Sequence, residues 1–110
     1  MASIFDMLRL VEKYPQAFLI DSEKERELQL RTLEAVIIGY SSAIHVHKVP
    51  VPIEEFNQAF SQFLREKFGW STCHGAIRTL VLESPTADAA WERFWLLLWE
   101  FEKSLNLPAD

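Results

Sequence analysis

Between residues 87 and 105 the chain places apolar side chains at Ala90, Phe94, Leu97, Leu98, Phe101 and Leu105. Steps of three and four keep them within about 100° of one another at the turn of an α-helix. A strand alternates its faces every second residue and could not gather them on one side. A helix with so long an apolar face has to bury it, so the remaining chain must supply helices of matching pattern.

It does so at three other places. Ile4, Met7, Leu8 and Val11 share a face of a first helix, opened by Ser3 with Asp6 in capping-box spacing and ended near Lys13 by Pro15. Gln16 to Ile20 is expected to be a short extended or irregular piece. Ser22 with Glu25 repeats the capping signature and opens a long helix to about His47, with Leu30, Leu33, Ile37, Tyr40 and Ile44 on one stripe. Gly39 inside that helix costs about 1 kcal/mol relative to alanine, which a close helix crossing would explain. Val49-Pro50-Val51-Pro52 is an extended connector, and Pro52 suits the first turn of a third helix with Ile53, Phe56, Phe60, Phe63 and Leu64 buried. Gly69 is its natural stop, with Trp70 packing back. Thr72 is a candidate cap for a short fourth helix with Ile77, Leu80 and Val81 on one face. Ile77, Thr79 and Val81 also alternate as in a strand, so residues 73–83 stay open between helix and strand. Ser84-Pro85-Thr86 opens the closing helix, from about Ala87 to Leu105.

The expected fold is therefore all-α, a compact bundle of four to five helices in one domain over residues 1–110. Val36, Ile37, Tyr40, Phe60, Phe94, Leu98 and Phe101 are its expected centre. At 49% hydrophobic and 13% aromatic the chain has ample core material for its 110 residues.

Charge narrows the function classes. The net charge is −5, and residues 83–110 alone carry six acids against Arg93 and Lys103. Phosphates call for lysine and arginine, so nucleic acid is not an expected partner. A basic protein partner fits, through electrostatic steering. The single cysteine, Cys73, has no internal partner and points to a reducing compartment, the cytoplasm. No basic segment followed by an apolar stretch marks a secretory signal, and the run Phe94 to Trp99 is far too short to span a membrane.

Catalytic constellations are thin. His45 and His47 stand two apart and diverge on a helix; no Cys-x-x-Cys or His-x-x-x-His spacing suggests a metal. His74 adjoins Cys73 but cannot easily serve its own neighbour as base, and a buried inert thiol is the expectation for Cys73. Glu54 and Glu55 belong to a helix first turn, where the dipole favours them. Glu23, Glu25 and Glu27, alternating with Lys24 and Arg26, read as a solvated face. The three glycines, at 39, 69 and 75, form no phosphate loop. The expectation is a protein that is not an enzyme, with no catalytic residue, metal or cofactor.

The closing helix offers a binding surface instead. Trp95 and Trp99 fall outside the apolar stripe, on the side of Asp88, Glu92 and Glu102. Tryptophan anchors with an acidic rim suit a basic protein surface. The competing expectation is that this helix is sandwiched and both indoles are core.

Four segments carry the pattern of a known family. Lys13-Tyr14-Pro15-Gln16-Ala17-Phe18-Leu19 is similar to that family's opening segment of a basic residue, proline, aromatic and leucine, although Ile20 or Asp21 stands where the family has glycine. Leu33 to Ala43, with Gly39-Tyr40 at its centre, resembles its apolar-Gly-Tyr helix. Phe56-Asn57-Gln58-Ala59-Phe60 through Lys67-Phe68 and Ala90-Trp91-Glu92-Arg93-Phe94 through Glu100-Phe101 are similar to its third and closing helices. Together they resemble the small bacterial immunity proteins of polymorphic toxin and contact-dependent inhibition systems. The resemblance implies a protein that binds a cognate toxin domain and blocks its active site or substrate access, and the charge points to a basic toxin surface. The expected contacts are Asp88, Glu92, Trp95, Trp99 and Glu102. The alternative is a structural or adaptor subunit that forms a homodimer through an aromatic surface.

Overall fold

The apolar periodicities become helices close to where the caps and breakers place them. The structure is a computed structural model and describes residues 3–19, 25–49, 55–73 and 75–107. The first helix, α1, spans Ile4–Lys13, and the Asp6 carboxylate accepts the Ser3 backbone N–H at 3.0 Å. Phe5 is fully buried beside the expected Ile4, Leu8 and Val11, while Met7 is half-buried. Pro15 ends α1 but at once starts a helical turn, α2, Pro15–Phe18. The extended piece expected there is corrected. Proline at the first helical position has its φ preset and an N–H that would have stayed unpaired anyway.

The long helix α3 runs Arg26–His47. The expected cap Ser22 lies outside the described residues. Leu30, Leu33 and Ile37 are buried, but Tyr40 and Ile44 are half-buried, as is Val36, so the core ends partway along the helix. Gly39 marks no close crossing: a Cβ built on it would meet nothing within 4 Å. That expectation, too, is corrected.

The next helix, α4, is Phe56–Phe68, with Phe56, Phe60 and Leu64 buried and Phe63 half-buried. Pro52, Ile53 and Glu54 lie outside the described residues; Glu55 takes the N-cap position instead of the first turn. Gly69 ends α4 at φ 73°, its N–H bonded to the Arg65 carbonyl at 2.8 Å. The Trp70 ring then stacks back on Phe68, centroids 4.1 Å apart.

Residues Ala76–Leu82 are helix, α5, and the strand alternative falls away. Thr72 does not cap it. Its carbonyl accepts the Gly75 N–H, and the Thr79 hydroxyl donates to the Gly75 carbonyl at 2.8 Å. The closing helix α6 is Ala87–Ser104, capped by the Thr86 hydroxyl, which accepts the Ala89 N–H at 3.1 Å.

Among the described residues there are six helices, five of them of seven residues or more, and no strand. The all-α expectation holds, with α2 the addition to the four or five helices expected. Helix α6 is the hub, packed on α3, α5 and α4. Phe5, Phe56, Phe60, Phe94 and Phe101 meet around it with ring centroids 5.3–6.2 Å apart, Phe56 and Phe60 stacked and the other pairs edge-on or tilted. No helix is long and apolar enough to cross a membrane, among the described residues.

Candidate functional site

Helix α6 buries a wider arc than its sequence stripe announces. Ala90, Phe94, Leu97, Leu98 and Phe101 are buried as expected, and Trp95 joins them at 5% exposure. Its placement outside the core face is therefore corrected, and its ring is not free to meet a partner. The cause is tertiary: α1 and the start of α3 lie over that side of α6. Trp91, Trp95 and Trp99 form a ladder up this side, neighbouring centroids 5.5 and 6.0 Å apart. Buried Trp95 has an indole N–H with no acceptor among the described residues.

Each outer indole of the ladder is covered by an arginine that an acid holds in place. The Arg26 guanidinium lies 4.4 Å from the Trp91 centroid, donating to Asp88 at 3.2 Å and to Gln29 at 2.7 Å. Only 17% of the Arg26 side chain is exposed, so the solvated face expected around it is corrected for this residue. The Arg9 guanidinium lies 5.1 Å from the Trp99 centroid and donates to both Glu102 oxygens, at 2.5 and 2.6 Å. The Trp99 Nε1 donates to Glu12 at 3.2 Å. Cation–π contact and charge-assisted bonds at half-covered positions reinforce each other. On the opposite flank Arg93 lies 5.0 Å from the Trp70 centroid and donates to the Glu83 carbonyl, and Lys67 pairs with Glu100.

What α6 leaves to solvent is the stripe Asp88, Glu92, Leu96 and Glu100. Steps of four drift by only about 40° each, so the four share one outward arc. Leu96 is 70% exposed at its centre. Asp88 is tied to Arg26 and Glu100 to Lys67, whereas Glu92 meets no cation among the described residues. Of the expected contacts, Asp88 and Glu92 stand on this stripe. Trp99 and Glu102 are half-buried at its edge, committed to α1, and Trp95 lies beneath. Sequence reasoning missed Leu96 and Glu100, although the four-residue spacing from Asp88 onward was there to be read.

The remaining titratable groups do not gather. His45 and His47 are exposed on the last turn of α3, and His74 lies outside the described residues. Cys73 is exposed, which corrects the buried thiol expected there. Among the described residues no three histidine, cysteine, aspartate or glutamate side chains converge as metal ligands would. Compared with protein-family models, curated proteins and solved structures, the chain matches none.

Proposed function

We propose that this chain is an immunity-type protein that binds a cognate bacterial toxin domain and blocks its active site or substrate access. The observation that carries the proposal is the outward stripe of α6, a well-exposed leucine with an acid one turn away on either side. A side chain of that kind fits an apolar pocket, and its carboxylates meet lysine or arginine at the rim of that pocket. Arg26 over Trp91 and Arg9 over Trp99 tie α6 to α3 and α1, which favours a face already ordered before it is covered. The contact residues become Asp88, Glu92, Leu96 and Glu100, with Trp99 and Glu102 as supports behind them. The toxin as partner comes from the family resemblance, and its basic surface from the charge of the face.

Self-association through an aromatic surface loses its tryptophans and would fall to Tyr14, Phe18 and Phe68, the aromatic rings exposed among the described residues. Trp95 is buried, and Trp70, Trp91 and Trp99 each lie half-covered beneath an arginine.

The test is functional. The tagged chain is recovered from its host with whatever partner accompanies it, and that partner is expressed alone and with the chain. Growth arrest by the partner alone and rescue by co-expression are expected. Leu96→Asp with Glu92→Lys should abolish rescue at an unchanged melting temperature. Absence of any growth-arresting partner, or rescue that survives both substitutions, sinks the proposal.

A further inference from the structure

A second surface, remote in sequence from the α6 stripe, carries its own argument. Helix α3 packs on α6, α5 and α1, and α4 packs on α5 and α6, so α3 and α4 stand on either side of a gap. The gap is a cleft of about 190 Å³ whose floor is core: Ile37, Phe56, Phe60 and Phe94. Ile38, 51% exposed, and Glu34 form its lip on α3. A shallower depression of about 400 Å³ continues it along α3, sharing Ile38, Phe56 and Asn57 and bounded by Ser41, His45 and Glu55.

We infer that this groove receives an amphipathic helix of a partner protein, one that inserts a single apolar side chain into the cleft and sets a lysine or arginine beside Glu34. The deep part of the groove, about 190 Å³, is on the scale of one side chain, and the rest is a shallower depression along α3, a form that suits an elongated occupant better than a compact ligand enclosed on most sides. Length favours a helix. From Glu34 to Val46 the groove follows thirteen residues of α3, twelve steps or roughly 18 Å at 1.5 Å per residue, which matches about three turns of a docked helix. Glu34, Ile38, Ser41 and His45 succeed one another by four, three and four on the groove side of α3, and the small Ser41 and Ser42 permit close approach there.

Charge supplies the sign of the partner. Among the described residues neither lysine nor arginine lines the groove, and its acidic side chains are Glu34 and Glu55, with His45 farther along α3. The Glu34 carboxylate, half-buried at the mouth of an apolar cleft, has no hydrogen bond or ion pair with any described residue. A cation flanking the inserted side chain satisfies it. The inference stands whether or not the α6 stripe binds a toxin.

The probe is a fourteen-residue helical peptide with leucines at steps of three and four and lysines elsewhere. Its controls are the same peptide with glutamates for lysines and one with the leucine spacing scrambled. Nitrogen-15 spectra of the whole chain are followed during titration. Saturable shifts at Ile37, Ile38, Asn57 and Ile77, absent with both controls, are expected. Ile38→Asp, at an exposed site that need not disturb folding, should weaken binding about tenfold or more, and Glu34→Gln about two- to fivefold. Shifts confined to Glu92, Leu96 and Glu100 would assign the peptide to the α6 stripe and overturn the inference. So would equal binding of the glutamate peptide, or a concentration-dependent dimer that protects Ile38 without peptide.

Discussion

Gly39 and Gly69 form a matched pair, and replacing each by alanine should change stability in opposite directions. Gly39 lies inside α3, and its φ is not among the positive values. Gly69 ends α4 at φ 73°. A Cβ on either would meet nothing within 4 Å, so no contact is made or lost and only the backbone decides. At Gly39 alanine restricts the unfolded chain without straining the folded one, and the helix gains about 0.8–1.0 kcal/mol. For a domain of this length that raises the melting temperature by about 4 °C. At Gly69 the Cβ is forced into the left-handed region, and Gly69→Ala should lose about 1–2 kcal/mol. The assay is urea unfolding of the two variants beside the parent chain, with the slope checked for constancy so that the midpoint reports stability alone. At a slope of about 2 kcal/mol per molar, Gly39→Ala raises the midpoint by about 0.5 M and Gly69→Ala lowers it by that much or more. If Gly39→Ala brings no gain, or a loss, then either α3 is not regular at its centre or the glycine makes room for something the isolated chain does not contain.

The tryptophan ladder, the closing cap and the single cysteine make further predictions. Trp95→Ala should cost about 3–5 kcal/mol in a thermal or urea melt, as a buried aromatic does, whereas Trp99→Phe, which keeps a ring under Arg9 but loses the bond to Glu12, should cost about 1 kcal/mol. Equal costs would mean that the two indoles share one environment. Thr86→Ala should lower stability by about 1 kcal/mol by leaving the Ala89 N–H at the α6 terminus without its acceptor, and Thr86→Asn should recover most of it. Cys73 should react with a thiol reagent in the folded protein as fast as an exposed model thiol; reaction only after denaturant would place it inside.

Helix existence was legible because it is local. The steps of three and four at Phe94, Leu97, Leu98 and Phe101, the Thr86 cap and the Gly69 stop act within a turn or two of chain, and each appears where the residues call for it. Residues 76–82 were ambiguous because Ile77, Thr79 and Val81 alternate as in a strand while Ile77, Leu80 and Val81 share a helical face. Burial between α3, α4 and α6 resolved them as helix.

The site was less legible. Periodicity locates a helix's apolar centre, but the width of the buried arc depends on how many neighbours lean on it. From the sequence, Trp95 and Leu96 are adjacent apolar residues beside the same stripe. Helix α1 and the start of α3 cover the side of α6 that carries Trp95, and among the described residues no helix covers the side that carries Leu96. One residue becomes core and the next the exposed centre of an acidic face. Arg26 shows the same division. Sequence places it in an alternating charged run, and only the approach of α3 to Trp91 and Asp88, 62 residues away from Arg26 in the chain in the latter case, turns it into a capping cation. Local spacing thus determined which segments coil and which stripe of each is apolar. The tertiary structure decided which polar and aromatic flanks are sealed and which face stays open, because coverage is a relation between helices far apart in the chain.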